Sequence, residues 1–154
     1  MKTIVVFSDL HHSAIPERLM SVAKESDYVF FLGDGLSHLG DLLFLKGLVA
    51  VKGNCDFVSF SREEIIEIED VKCLISHGDT YGVKRDLLPI TLRAKELDCS
   101  LVCYGHTHWA TVDTAYGITL INPGAIQSPA TGTPSYAYIV INGKDITHKI
   151  VNIY

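Results

Sequence analysis

Apolar positions in this chain cluster into short, nearly unbroken runs. Positions 2–7 (KTIVVF), 28–32 (YVFFL), 48–51 (LVAV) and 101–104 (LVCY) are rich in β-branched and aromatic residues, and turn residues follow closely. That pattern predicts buried strands. Between the first two runs, Ile15, Leu19, Val22 and Ala23 recur at helical spacing, and Pro16 suits the first turn of a helix. A short helix is expected over 42–45, before Gly47. The resulting rhythm of strand, turn, helix and strand argues for parallel strands joined by right-handed crossovers.

The pattern then changes. Positions 63–68 and 71–76 read as adjacent strands around the turn Glu69-Asp70, and 84–97 as a second helix with Ile90, Ala94 and Leu97 on one face. Beyond 101–104, the segments 111–116, 118–121, 136–141 and 145–153 are short, close together and punctuated by glycine, as in an antiparallel meander. The expected architecture is one α/β domain over 1–154, with two packed sheets and helices outside. An exposed edge strand in the later meander would offer a surface for a homodimer.

Composition narrows the function classes. No apolar run reaches the ~18 residues of a membrane span, and Asp9 interrupts the N-terminal run before it resembles a secretion signal. A net charge of −5 gives no footprint for duplex nucleic acid. The cysteines Cys55, Cys73, Cys99 and Cys103 show no CxxC spacing, and two of them lie inside apolar runs. Neither a disulfide framework nor a zinc knuckle is expected, and a reducing cytoplasm fits best.

The chemistry gathers where predicted strands end. Asp9 and His11 follow the first strand, Asp34 the second, Asn54 the third and His77 the run at 71–76; His106 and His108 follow LVCY. Singly, the aspartates could cap helices and Asn54 could occupy a turn. Neither role calls for histidine, yet four of the seven histidines fall at these edges. Mixed nitrogen and oxygen donors suit Mn²⁺, Fe²⁺, Co²⁺, Ni²⁺ or Zn²⁺ rather than Ca²⁺ or Mg²⁺. Seven donors exceed one tetrahedral shell but suit two ions sharing a carboxylate, and ions ~3.5–4 Å apart can clamp a phosphoryl displacement. Two divalent ions, two aspartates and a bridging hydroxide leave about +1, a balance suited to a phosphodiester monoanion.

These residues resemble the calcineurin-like metallophosphoesterase superfamily, whose pattern runs D-x-H, GD, GN-(H/C)-(D/E), a lone histidine with glycine, and GH-x-H. The corresponding blocks here are Asp9-Leu10-His11, Gly33-Asp34, Gly53-Asn54-Cys55-Asp56, His77-Gly78 and Gly105-His106-Thr107-His108. Short length, the GNCD form and Asn122-Pro123-Gly124 resemble its small, capless YfcE-type phosphodiesterase branch. The resemblance implies a four-layer αββα sandwich of two mixed β-sheets flanked by helices, without a cap domain. It also implies two divalent ions, Mn²⁺ foremost, with Ni²⁺, Fe²⁺, Co²⁺ or Zn²⁺ as alternatives. By that analogy Asp9, His11 and His108 hold one ion and Asn54, His77 and His106 the other, with Asp34 bridging. Asp34, Asn54, His77 and His106 would also bear on catalysis.

Departures from the family pattern mark further candidates. His12 stands where the branch commonly has glycine, and solvent is its favoured direction. Asp79 stands where many relatives have a second histidine, and Ala125 replaces a usual serine. Cys55 stands where larger relatives carry a histidine thought to protonate the leaving group; a neutral thiol with pKa ~8.5 is a feeble donor. Cys55, Asp56, His12 and Asp79 are therefore candidates for contacts with the substrate or with the ligands. The expected reaction is hydrolysis of a small phosphodiester, such as a nucleotide ester, by a metal-bridging hydroxide. Two alternatives remain: a catalytically weak scaffold acting through protein partners, as the retromer subunit of the superfamily does, or a phosphomonoesterase.

Overall fold

The computed structural model describes residues 1–154. Its first sheet contains β1 (Lys2–Phe7), β2 (Tyr28–Phe31), β3 (Leu48–Ala50), β9 (Ser135–Asn142) and β10 (Asp145–Asn152), in the order β10-β9-β1-β2-β3. The second contains β4 (Glu63–Ile68), β5 (Val71–Ser76), β6 (Leu101–Cys103), β7 (Thr111–Ala115) and β8 (Ile118–Asn122), in the order β4-β5-β6-β8-β7. In the first sheet β1, β2 and β3 run parallel; in the second β5, β6 and β8 do. Both sheets are thus mixed, with antiparallel strands at their flanks.

Strand periodicity explains the unbroken apolar runs. Alternate β1 side chains, Ile4 and Val6, enter the layer between the sheets, where they join Phe30, Cys73, Ile75, Leu101, Cys103 and Ile121. Val5 and Phe7 point the other way, into a cluster with Leu19 and Ala23 of α1 (Glu17–Glu25). On the opposite flank Leu74, Val102 and Leu120 pack with Ile90 and Ala94 of α2 (Leu88–Glu96). Each central strand has both faces buried, so neither set of alternate positions needs to be polar. The outcome is the expected order of helix, sheet, sheet and helix.

Three local expectations shift. Helix α2 begins at Leu88 rather than 84, because Gly82 takes a left-handed φ of 62° and the Asp86 carboxylate accepts the Leu88 N–H at 2.8 Å. The short helix near 42–45 is a 3₁₀ segment, Gly40–Phe44. The late meander divides: β7 and β8 form a hairpin in the second sheet, whereas β9 and β10 form one in the first. Pro123 and Pro134 bracket the crossing, where a residue without an N–H cannot extend a ladder. Strand β9 then lies antiparallel to β1, with Lys2 opposite Ile141 and Val6 opposite Ala137.

Candidate metal centre

The parallel strands β1, β2, β5 and β6 discharge their carboxyl ends toward one edge, where Asp9, His11, Asp34, His77, His106 and His108 meet. Asn54 joins them from the loop after β3, with its Oδ1 3.0 Å from His77 Nε2. The backbone reaches this arrangement at a cost. Nine non-glycine residues have positive φ, and five of them are Asp9, His11, Asp34, His106 and His108. Such conformations are uncommon for residues with a Cβ, although Asp and His tolerate them better than most. Their concentration here marks a place where strain is held for function.

Two triads of donor atoms are close enough to grip an ion: Asp9, His11 and His108, and Asp34, His77 and His106. A third, His11, Asp34 and Cys55, shares one member with each of the other two and reaches out to solvent-exposed Cys55. Asp34 belongs to two triads, with Oδ2 3.2 Å from His77 Nε2 and 4.0 Å from His11 Nε2. The Asp9, Asp34 and His77 side chains form a buried floor, while His11, His106 and His108 remain partly open.

Hydrogen bonding within this floor is incomplete without a cation. His77 Nδ1 lies 2.8 Å from Leu32 O and His108 Nδ1 2.9 Å from Ser128 O, so each Nδ1–H donates to a carbonyl. In the neutral rings both Nε2 atoms therefore present lone pairs. His77 Nε2 faces Asn54 Oδ1, Asp34 Oδ2 and His106 Nδ1 at 3.0–3.2 Å. Asp9 Oδ1, wholly buried, has no hydrogen-bond partner; it sits 3.3 Å from His108 Nε2 and 3.7 Å from His11 Nε2. An orphaned carboxylate oxygen would be expensive in a dry interior. Set among imidazole nitrogens, it fits a divalent ion. The remaining electrostatics agree. Burial opposes charge on Asp34, but the His77 hydrogen bond and charge, the Cys55 N–H and His11 outweigh it and lower the carboxyl to about 2. Burial likewise opposes charge on His77, yet its hydrogen bond to Asp34 and the charges of Asp9 and Asp34 raise its pKa, so a proton and a cation compete for the same Nε2.

Asp56 fixes the loops that carry these donors. Its Oδ2 accepts N–H bonds from Asp34 (2.8 Å) and Gly53 (2.9 Å), and its Oδ1 from Gly35 (2.8 Å) and Leu36 (3.1 Å). A carboxylate satisfied by four backbone donors is a brace, not a free substrate contact. Gly53 is required at the same crossing, because a Cβ there would collide with Asp34 Oδ1. Across the site, Asp9 Oδ2 accepts from Ser8 Oγ (2.8 Å) and His106 N (3.1 Å). Asn122 donates to Gly105 O (3.2 Å) and Thr107 Oγ1 (2.9 Å), pinning the GHTH loop.

All seven predicted donors thus converge, whereas the flanking candidates divide. Asp79 faces Arg62 at 3.8 Å. His12 is exposed, its ring edge-on to His38 with centroids 5.6 Å apart. Cys55 lies beside Asn54; burial and the Asp34 and Asp56 charges raise its thiol pKa, so it stays neutral at pH 7. No sequence pattern gives Ser8, Asn122 or Ser128 a role, although Asn122 opens the Asn-Pro-Gly motif. Only the fold shows where their hydrogen bonds go.

A domain model described as the calcineurin-like phosphoesterase superfamily domain matches residues 1–144. This chain belongs to that superfamily. It is 33% identical over 152 residues to the probable metallophosphoesterase YsnB of Bacillus subtilis, covering 94% of this chain and 87% of that one. The phosphodiesterase MJ0936 of Methanocaldococcus jannaschii is 30% identical over 90 residues, covering 58% of this chain and 47% of that protein. Among solved structures, a conserved protein of Streptococcus pneumoniae described as a predicted phosphoesterase aligns with a TM-score of 0.83 at 25% identity, covering 98% and 89% of the two chains. Wild-type Vps29 from Entamoeba histolytica, complexed with zinc, shares the fold with a TM-score of 0.78 at 20% identity, covering 97% and 98%. The calcineurin-like membership and the Asp and His clusters identify the chain as a metal-dependent phosphoesterase, a hydrolase of phosphoester bonds.

Proposed function

We propose that this calcineurin-like chain is a dinuclear phosphodiesterase, with Mn²⁺ as the first metal to try. Asp9, His11 and His108 would hold one ion and Asn54, His77 and His106 the other, with Asp34 shared. The observation that carries this reading is the unpartnered, buried Asp9 Oδ1 set among imidazole nitrogens, beside a second triad built on Asp34. Such a pair of ions supplies Lewis acidity toward the phosphoryl oxygens and hydroxide at neutral pH.

The chain itself contributes position and proton inventory. Carbonyl bonds from Leu32 and Ser128 fix the His77 and His108 tautomers, and Asp56 sets the approach of the Asp34 and Asn54 loops. The preference for a diester follows from the supply of cations. Arg62 is engaged by Asp79, leaving Lys84 as the cation whose charge is felt at both His106 and His108. One nearby ammonium suits a monoanion better than the dianion of a monoester. The alternative of a partner-binding scaffold shares the Vps29 fold, but here every donor position is filled and converges.

The test is Mn²⁺-dependent hydrolysis of bis(p-nitrophenyl) phosphate, with metal content measured alongside. Asp34→Asn should lower turnover by a factor of roughly 10³ or more and bring bound metal below two ions per chain, since it weakens both sites. Near-native metal content and turnover in that variant would overturn the assignment.

A further inference from the structure

Beside His11 and Cys55 of the proposed centre opens a cleft of about 470 Å³, within the range of small-molecule pockets. Its wall includes His12, Leu36, Cys55, Phe57 and Val58. A smaller void of about 50 Å³, lined by His11, Asp34 and Cys55 among others, adjoins the centre, and His11 and Cys55 line both spaces. The cleft and the space beside the proposed centre therefore share walls at His11 and Cys55.

The wall chemistry is unusual for a protein that handles anions. No lysine or arginine lines the cleft. Its one carboxylate, Asp56, is saturated by four backbone N–H bonds and offers nothing further to a ligand. The His12 backbone N–H is taken by Gln127 Oε1 at 2.8 Å. Against this neutral background Phe57 is 95% exposed and Val58 50%, while Leu36 is buried beneath. Side chains of this kind placed beside a reactive centre gain most from an apolar, flat partner.

We propose that this cleft is the subsite for the second ester substituent of the phosphodiester, and that it takes a planar aromatic group, a nucleobase or an aryl ring, against Phe57 and Val58. The inference rests on the diesterase reading above and gives it a substrate class. A diester carries two organic arms on one phosphoryl group. One arm departs, and the other needs a place beside the ions that is neither charged nor filled. A phosphomonoester substrate has only the arm that departs, whereas the monoester product of a diester keeps the retained arm and with it the contact to the cleft.

Two diesters with the same leaving group isolate the effect: bis(p-nitrophenyl) phosphate and methyl p-nitrophenyl phosphate, assayed with the Mn²⁺-loaded full chain. The native protein should show a KM about tenfold lower for the bis-aryl ester, the scale of one aromatic stacking contact. Phe57→Ala should shrink that ratio to about twofold, and Phe57→Trp should keep it. Equal KM values in the native protein, or equal losses on both esters in Phe57→Ala, would overturn the inference. So would a native dimer that Phe57→Ala converts to a monomer, because the face would then belong to a second copy.

Hydrolysis of neither ester would count against the diesterase reading itself. The subsite then stands or falls on equilibrium titration of adenosine 5′-monophosphate against ribose 5-phosphate. About tenfold tighter binding of the adenylate, lost in Phe57→Ala, supports it. Equal affinities refute it.

Discussion

Cys55 occupies an exposed corner of the proposed centre, next to Asn54 and within reach of His11 and Asp34. Its thiol is held neutral by burial and by the carboxylates around it, which makes proton delivery to a departing alkoxide slow. Good leaving groups need no such help. Cys55→His should therefore raise kcat for an alkyl leaving group by about tenfold or more, while changing a p-nitrophenyl ester by less than about twofold. A series of esters graded by leaving-group pKa checks this, and parallel gains across the series would contradict it. The donors themselves were readable at this scale because residue type carried the signal: no cap or turn explains four histidines at strand ends. Asp56 was not so readable. It sits in a recognised motif, yet its four donors include Asp34, Gly35 and Leu36, 20–22 positions upstream, and no local pattern announces them.

At the scale of elements, the site is a set of strand-end loops held in mutual register. The loop after β2 and the loop after β3 touch through one carboxylate, and Gly53 lets them approach Asp34 closely. Asp56→Asn replaces two acceptor oxygens by one and aims an NH₂ group at backbone donors. A stability loss of about 3 kcal/mol is expected by denaturant titration, with weaker metal binding. If stability fell without any change in metal affinity, Asp56 would brace the fold but not the site. Element identities were legible because central strands are apolar on both faces and α1 keeps its stripe at Leu19 and Ala23. The late hairpins were harder. Strand β9 alternates as any half-buried strand does, and nothing in SYAYIVIN states that its neighbour is β1 rather than β8. The start of α2 is hidden for a similar reason, since Gly82 and Asp86 act through turn geometry instead of periodicity.

For the whole molecule, metal binding and folding share one free energy. The proposed centre joins loops from both sheets, so an ion bound there bridges layers that otherwise meet through apolar side chains. A ligand that binds only the folded state adds about 2.7 kcal/mol at one hundred times its Kd. In a chain of this length that corresponds to roughly 5–10 °C in Tm. Chelation should lower Tm by that amount and Mn²⁺ should restore it; a Tm indifferent to chelator would argue against tightly held ions.

The pairing of β9 with β1 also bears on biosynthesis. When residues up to 110 have left the ribosome, every proposed donor from Asp9 to His108 is already outside, yet the strand that leads to Asp9 and His11 still lacks its neighbour at 135–142. The nascent chain thus displays a full complement of metal-seeking groups before it has the scaffold to aim them. A cation gripped by the full set would therefore wait until the hairpin at 135–152 zips onto the strand at 2–7.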